Sequence, residues 1–432
     1  MRTQGELHID AGALEAGPGE AELEIVEPYT GWSVADPVLQ RAAFWAARAT
    51  ILVSTCLMAG IAAAQTGTPS DAQTSATPAP AAQAATAAAP AAPAAPNPYH
   101  QLGMDFSFLL DGYVDGNFND PASGWNGLRN FDYRADTLHL NMAKITIDRA
   151  PGPVGFHLDV GFGQIFSATH AADQAPEGMK YFEQAYVDFK PKSWKGAEVD
   201  VGEFVSSAGA EVIDVNGDWN YSRSLLFAWA VPYYHFGIRT SFPVGPHFTG
   251  GVQLVNGWNN VYAGDQGKLI GLNGAYAWKK VTWTNVWYGG PERDQDSPGW
   301  RNLIDSVVQV NPNDNLALYV NFDYGRNKNM GPGSAQWTGI AGAFRRALGK
   351  KAAIAGRLEI FDDADGFSTG VAQAVKEVTV TGEYKLSGWL LSRLEFRDDW
   401  SSQSFFENSQ GNLTRNQPTI LLGMVAYFGP KK

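Results

Sequence analysis

The sequence predicts an all-β fold: a transmembrane antiparallel β-barrel of about sixteen strands, preceded by a signal peptide and a disordered Ala/Pro-rich spacer. Three observations predict it. Apolar and polar residues alternate along one segment after another. The connections between those segments alternate long and short. The composition is rich in aromatics and glycine, yet the body of the chain has no apolar run long enough for a membrane helix.

The alternation is clearest in "SRLEFRDDW", residues 392–400. Arg393, Glu395, Arg397 and Asp399 take every second position, and Leu394 and Phe396 fill gaps between them. A helix would smear this pattern around its surface, whereas a strand sends successive side chains to opposite faces. "GPVGFHLDVGFGQ" behaves alike, with Val154, Phe156, Leu158, Val160 and Phe162 on one face and His157 and Asp159 on the other. So does "NLALYVNFDYG", where Leu316, Leu318, Val320, Phe322 and Tyr324 oppose Asn321 and Asp323. In order, the strand candidates are 104–117, 134–148, 153–167, 180–190, 196–206, 232–243, 246–257, 268–278, 280–289, 301–311, 314–325, 335–347, 351–361, 374–387, 388–399 and 418–428. Lys144 breaks the alternation of the second, and the eighth is rich in glycine.

Links after odd-numbered candidates are long: 118–133, 168–179, 207–231, 258–267, 290–300, 326–334, 362–373 and 400–417. Links after even-numbered ones are short: "RAPG", "PKSWK", "PVGP", "KK", "NPND", "ALGK" and "LSG". A soluble sandwich has no reason for this asymmetry. An outer-membrane barrel does, with long loops outside and short turns in the periplasm. Lipid offers the backbone no hydrogen-bond partner, so every strand needs two neighbours and the sheet must close. A barrel of this size leaves room for an aqueous channel.

The totals agree. The chain carries 14 Trp, 16 Tyr, 23 Phe and 47 Gly, with 18% charged residues and a mean hydropathy of -0.22, because lumen residues dilute a lipid-facing set. A single cysteine, Cys56, excludes an internal disulfide framework. The net charge of -12 argues against nucleic acid as a partner.

Four regions follow. Residues 49–64, "ATILVSTCLMAGIAAA", follow Arg41 and Arg48 and have the parts of a Sec signal peptide, cleaved after Ala64. We assign 41–64 to that signal. Residues 1–40 form an atypical acidic extension, as a translation start placed too early would give. Residues 65–99 read as the spacer, unable to bury a core. Residues 100–432 are the barrel. Its last strand, within "PTILLGMVAYFGPKK", resembles the C-terminal assembly signal of outer-membrane proteins, so the barrel assembly machinery is an expected partner. Four residues follow Phe428, where the usual signal ends the chain.

A specific resemblance lies in residues 198–240, "EVDVGEFVSSAGAEVIDVNGDWNYSRSLLFAWAVPYYHFGIRT". Gly202 with Phe204, Gly209 to Val212, Asn220 to Ser224, and Pro232, His235, Gly237 and Arg239 are similar to motifs of the OmpL-like, porin-2 type of β-barrel porin family. Glu203 stands where that family usually has Lys. The match covers about a tenth of the chain by motif. The resemblance implies an outer-membrane channel and no catalytic residues.

The longest link, 207–231, follows the fifth candidate and is the expected constriction of the pore. Opposed charges at a narrow point set both a field and a size limit. Its candidates are Glu211, Asp214, Asp218 and Arg223, with wall partners Arg239, Arg357, Glu359, Arg393, Glu395 and Arg397. The alternative is that these charges pair across neighbouring strands and stiffen the wall. Trp278, Trp283, Trp287, Tyr288, Trp389 and Trp400 are expected in the interfacial girdles. The seven histidines show no metal spacing, and no nucleotide or hydrolase motif stands in context, so neither a cofactor nor an enzyme is expected.

The expectation is a passive outer-membrane channel of a Gram-negative cell, embedded in outer-membrane lipid and passing small hydrophilic solutes or ions. The alternatives are a barrel acting as an adhesin or structural anchor through its loops and, third, an outer-membrane hydrolase. The sequence leaves solute, ion selectivity and the choice between monomer and homotrimer open.

Overall fold

The computed structural model describes residues 98–173, 175–262, 267–292, 299–328 and 333–430. The expectations for 1–40, for the signal at 41–64 and for the spacer up to residue 97 lie outside the described residues.

Among the described residues, sixteen long strands form one closed antiparallel sheet, and a two-residue strand, His100–Gln101, pairs with Met104 and Asp105 at the start of the first. They are β1 (Met104–Asn117), β2 (Leu138–Arg149), β3 (Val154–Phe162), β4 (Phe182–Phe189), β5 (Glu198–Val205), β6 (Tyr234–Val244), β7 (Phe248–Val255) and β8 (Leu269–Trp278). β9 (Val281–Pro291), β10 (Trp300–Asn313), β11 (Leu316–Asn327), β12 (Ala335–Ala347), β13 (Ala352–Asp363), β14 (Gln373–Lys385), β15 (Leu390–Ser401) and β16 (Asn416–Phe428) complete it. Each pairs with its sequence neighbours, and β16 closes on β1 from Thr419↔Asn117 to Phe428↔Phe108. No barrel strand is left with an open edge, as hydrocarbon requires.

The period-two pattern sorts side chains between two solvents. On β15, Leu394 and Phe396 are 55% and 44% exposed on the outer face, while Arg393, Glu395, Arg397 and Asp399 are at most 2% exposed inside. Val160, Phe162, Leu358, Ile420 and Leu422 continue the outer apolar belt. Such a surface on a soluble protein would aggregate; against lipid it is matched.

Three local departures from the expected pattern have physical causes. The interruption at Lys144 is a β-bulge: pairing steps from Asp111↔Met142 to Gly112↔Leu140 and leaves Asn141 extra. Before the bulge Leu138 and Leu140 face outward; after it Ile145 does, and Lys144 turns into the lumen. β3 ends at Phe162, not near 167. Gly163, at φ 130°, turns the chain, and a short helix, α1 (Gln164–Thr169), buries Ile165 and Phe166. Tyr288 is not a girdle residue. It points inward, fully buried, with its ring over Gly271, where a Cβ would meet it at 2.6 Å. Trp278, Trp283, Trp389 and Trp400 are 40–48% exposed outside.

Candidate functional site

The link between β5 and β6, residues 206–233, folds into the barrel. Residues 208–211, 218–228 and 230–233 are all buried. Gly209, at φ 98°, starts the inward path, and turns at Val215–Gly217 and Leu226–Ala230 keep the loop compact. Its apolar side, including Ile213, Leu225 and Phe227, joins one buried cluster with Leu128 and Phe131 from the first long link and Ile165 and Phe166 from α1. Inside a polar lumen the loop thus carries a small hydrophobic core of its own.

Its other side is held by the charged wall of β13 to β15, and the contacts follow a rule. Wall carboxylates take loop amides, and wall guanidiniums take loop carbonyls. Glu395 accepts the N–H groups of Tyr221 and Ser222 at 2.6 and 2.9 Å. Glu359 accepts those of Leu225 and Leu226 at 2.5 and 3.1 Å. Arg357 donates to Ser222 O at 2.9 Å, and Arg397 donates to Arg223 O at 2.6 Å. Arg393 donates to Val215 O at 2.7 Å, Asn220 O at 3.1 Å and Asp218 O. Within the loop, Glu211 bridges outward to Arg357 at 2.6 Å and inward to the Ser224 amide at 2.6 Å. Arg223 pairs with Asp218 at 2.9 Å and caps the carbonyls of Val212 and Tyr221.

The wall charges also pair across strands. Arg357 meets Glu377 at 2.8 Å, Arg393 meets Glu383 at 3.2 Å, and Arg397 meets Glu377 at 3.3 Å, with Asp399 of its own strand at 2.7 Å. These charge-assisted bonds satisfy groups that are almost wholly out of water, where an unpaired charge would cost several kcal/mol. Arg357, Arg393 and Arg397 therefore pair with acids of the neighbouring strand and also hold the loop.

The structure brings Glu211, Asp218, Arg223, Arg357, Glu359, Arg393, Glu395 and Arg397 into one continuous buried network. Asp214 lies at its edge, with its side chain 32% exposed and bonded to Lys144 at 2.7 Å. Arg239 stands apart. It faces the lumen from β6 and pairs with Asp200 of β5 at 2.8 Å. Burial pushes the Asp218 carboxyl up, to about 8, against the opposing pull of Arg223.

Sequence reasoning missed several partners. Glu377 and Glu383 alternate with the outward Val378 and Val380 on β14, so period two would have found them. Tyr221 bonds Asp111 at 2.6 Å, and its ring fills space left by Gly423, contacts with no local signal. Arg129, from the first long link, reaches Asp399 at 2.8 Å and also lacks one. Among the described residues, no group of three or more His, Cys, Asp or Glu is arranged to hold a metal ion. His157 lies between Asp148 and Asp159, 3.0 Å from each.

A closed sixteen-stranded barrel with an apolar outer belt, a charged inner wall and a long loop packed into its lumen defines an outer-membrane barrel of the porin class. The chain belongs to the family described as Putative beta-barrel porin-2, OmpL-like, whose model matches residues 103–428. Solved structures share the fold at low identity. An anion-selective porin from Comamonas acidovorans is 12% identical over 75% of this chain and 99% of its own, with a TM-score of 0.53. The outer membrane channel DcaP of Acinetobacter baumannii is 10% identical over 76% and 98%, with a TM-score of 0.51. OmpT, an outer membrane protein of Vibrio cholerae, is 11% identical over 75% and 97%, with a TM-score of 0.51. No curated protein matches the chain.

Proposed function

We propose that the protein is a passive, water-filled diffusion channel for small hydrophilic solutes, with the 206–233 loop as its fixed constriction. Long loops face the exterior in this reading and short turns the periplasm, and β16 is the strand presented to the assembly machinery. One observation carries the proposal: the loop occupies the lumen and is bonded to the wall along most of its length, while charged groups elsewhere on the inner face stay partly wet. Asp148, Arg239 and Arg345 keep 43%, 19% and 21% of their side chains exposed. A pinned loop narrows a pore without flapping across it. OmpT of Vibrio cholerae is also described in a trimer form, and a homotrimer is the assembly we propose here.

The sealed block of loop and wall charge favours a second reading, a barrel too full to conduct that acts as an anchor for its loops. Planar-bilayer recording with the purified protein separates the two. The channel reading expects steady, ohmic conductance steps. Insertion of folded barrels without conductance would establish the anchor instead.

A further inference from the structure

The sealed arginines have a consequence for selectivity. Arg357, Arg393 and Arg397 are each at most 2% exposed and spend their donors on loop carbonyls and wall acids. They present little positive charge to the water in the lumen. Charges that keep contact with lumen water lie elsewhere: Arg345 on β12, and a group on the inner face of β1 to β6 toward the short-turn end.

There the pattern reverses. Asp105 of β1 stands directly opposite Asp148 of β2, and Asp188 of β4 directly opposite Asp200 of β5. Like charges facing across a strand pair are destabilising, and this wall carries two such pairs. Glu198 adds a further carboxylate, bonded to Lys190 at 2.7 Å. Arg239 answers Asp200 through one oxygen only: Asp200 Oδ2 takes the guanidinium, and Oδ1 has no hydrogen-bond partner. Asp188 Oδ1 is unpartnered too. Both residues are more than nine-tenths buried, at 6% and 8% exposure, so the orphan oxygens are not simply bathed in bulk water. Gly155 makes the room: a Cβ there would collide with Asp188 Oδ1. The site therefore holds clustered acid with unused acceptor capacity: its basic neighbours, Lys190, Arg239, His157 beside Asp148 and His100 beside Asp105, are outnumbered by the carboxylates of Asp105, Asp148, Asp188, Glu198 and Asp200.

We propose that this acidic wall is the selectivity element of the pore, that it favours small monovalent cations over anions, and that the charges of Asp188 and Asp200 carry the preference. The inference rests on the channel reading above. A wall of one sign, bounded by low-dielectric protein, raises the local concentration of the opposite sign.

The test is the reversal potential of the purified full-length protein in a planar bilayer across a KCl gradient. The wild-type protein is expected to pass K⁺ over Cl⁻. Asp188→Asn, which removes charge without removing a salt bridge, lowers the permeability ratio, and adding Asp200→Asn lowers it further, by roughly twofold or more in total. Arg239→Gln shifts it the opposite way, so the proposal does not rest on one variant that fails to fold. Anion preference in the wild type, or an unchanged ratio in all three variants with conductance intact, overturns the inference and leaves the channel standing. Absence of conductance overturns the channel reading, and the inference with it.

Discussion

The lumen has two walls, and they use the same residue types for opposite ends. On β13 to β15, acids and arginines alternate and each finds a complement, across the strand pair or on the loop backbone. On β1 to β5 near the short turns, acids face acids and oxygens go unpaired. The first wall treats the loop as a peptide ligand, reading amides with carboxylates and carbonyls with guanidiniums. Arg393, Glu395 and Arg397 thus meet, in order along their strand, the carbonyls of residues 215–220, the amides of Tyr221 and Ser222, and the carbonyl of Arg223 on the loop. The second wall holds no segment of loop: its acids are met only by single basic neighbours, Arg239, Lys190, His157 and His100, and Asp188 and Asp200 each keep an oxygen without a hydrogen-bond partner. Charge density in a sequence does not distinguish these roles; what faces the charge does.

The sharpest way to break the contrast is to remove one arginine from the sealed wall. Arg357→Ala would strand Glu211 and Glu377 out of water, together with the Ser222 carbonyl. Deleting one partner of a buried charged network costs about 3–5 kcal/mol. A marked fall in the temperature at which the folded barrel unfolds in detergent, read by circular dichroism, is expected. Little change would mean that water already reaches this wall. Asp188→Asn should cause no such fall, because Asp188 Oδ1 has no partner to lose.

A smaller effect probes the loop alone. Glu359→Gln keeps the size of the side chain but replaces one of two charged acceptors with an amide, and Leu225 and Leu226 lose part of their anchor. A charge-assisted hydrogen bond is worth about 1.5–3 kcal/mol, so the barrel should survive while the loop loosens. Proteolysis within 206–233 and noisier single-channel current are the expected readouts. A variant as resistant as wild type would show that the apolar cluster, not the charged wall, holds the loop.

The contrast also marks what could be read in the sequence. All sixteen strands were legible, because lipid outside and charge inside impose period two on nearly every segment. So was the inward face of the Arg393 strand, since Leu394 and Phe396 fix the outer one. The exceptions lie where that rule is suspended. At Asn141 one extra residue flips the faces, so Lys144 read as noise when it is the contact to Asp214. At Gly163 the chain leaves the sheet, and the helix that follows mimics strand hydrophobicity. The loop's partners were illegible for another reason: Glu395 and Arg393 bind backbone groups, which every sequence has, and only the folded path of residues 212–226 brings those groups to the wall.

The mildest perturbation is pH, acting on the loop through Asp218. Burial, the largest cause, pushes its carboxyl up, to about 8, with Glu211 adding to the rise and Arg223, Arg393 and the Val212 amide opposing it. A folded-state value above the unfolded one means that docking favours the protonated form. Its contribution is present in full below the unfolded pKa, near 4, and is lost as pH rises through about 8. The loop should therefore become more protease-sensitive between roughly pH 7 and 9 while the strands stay intact. Asp218→Asn should remove that dependence, since an amide does not titrate. If clipping of the wild type stays flat across this range, Asp218 is ionised in the fold and its pairing with Arg223 outweighs its burial, so that even inside the loop the sealed wall's rule of matched charge would hold.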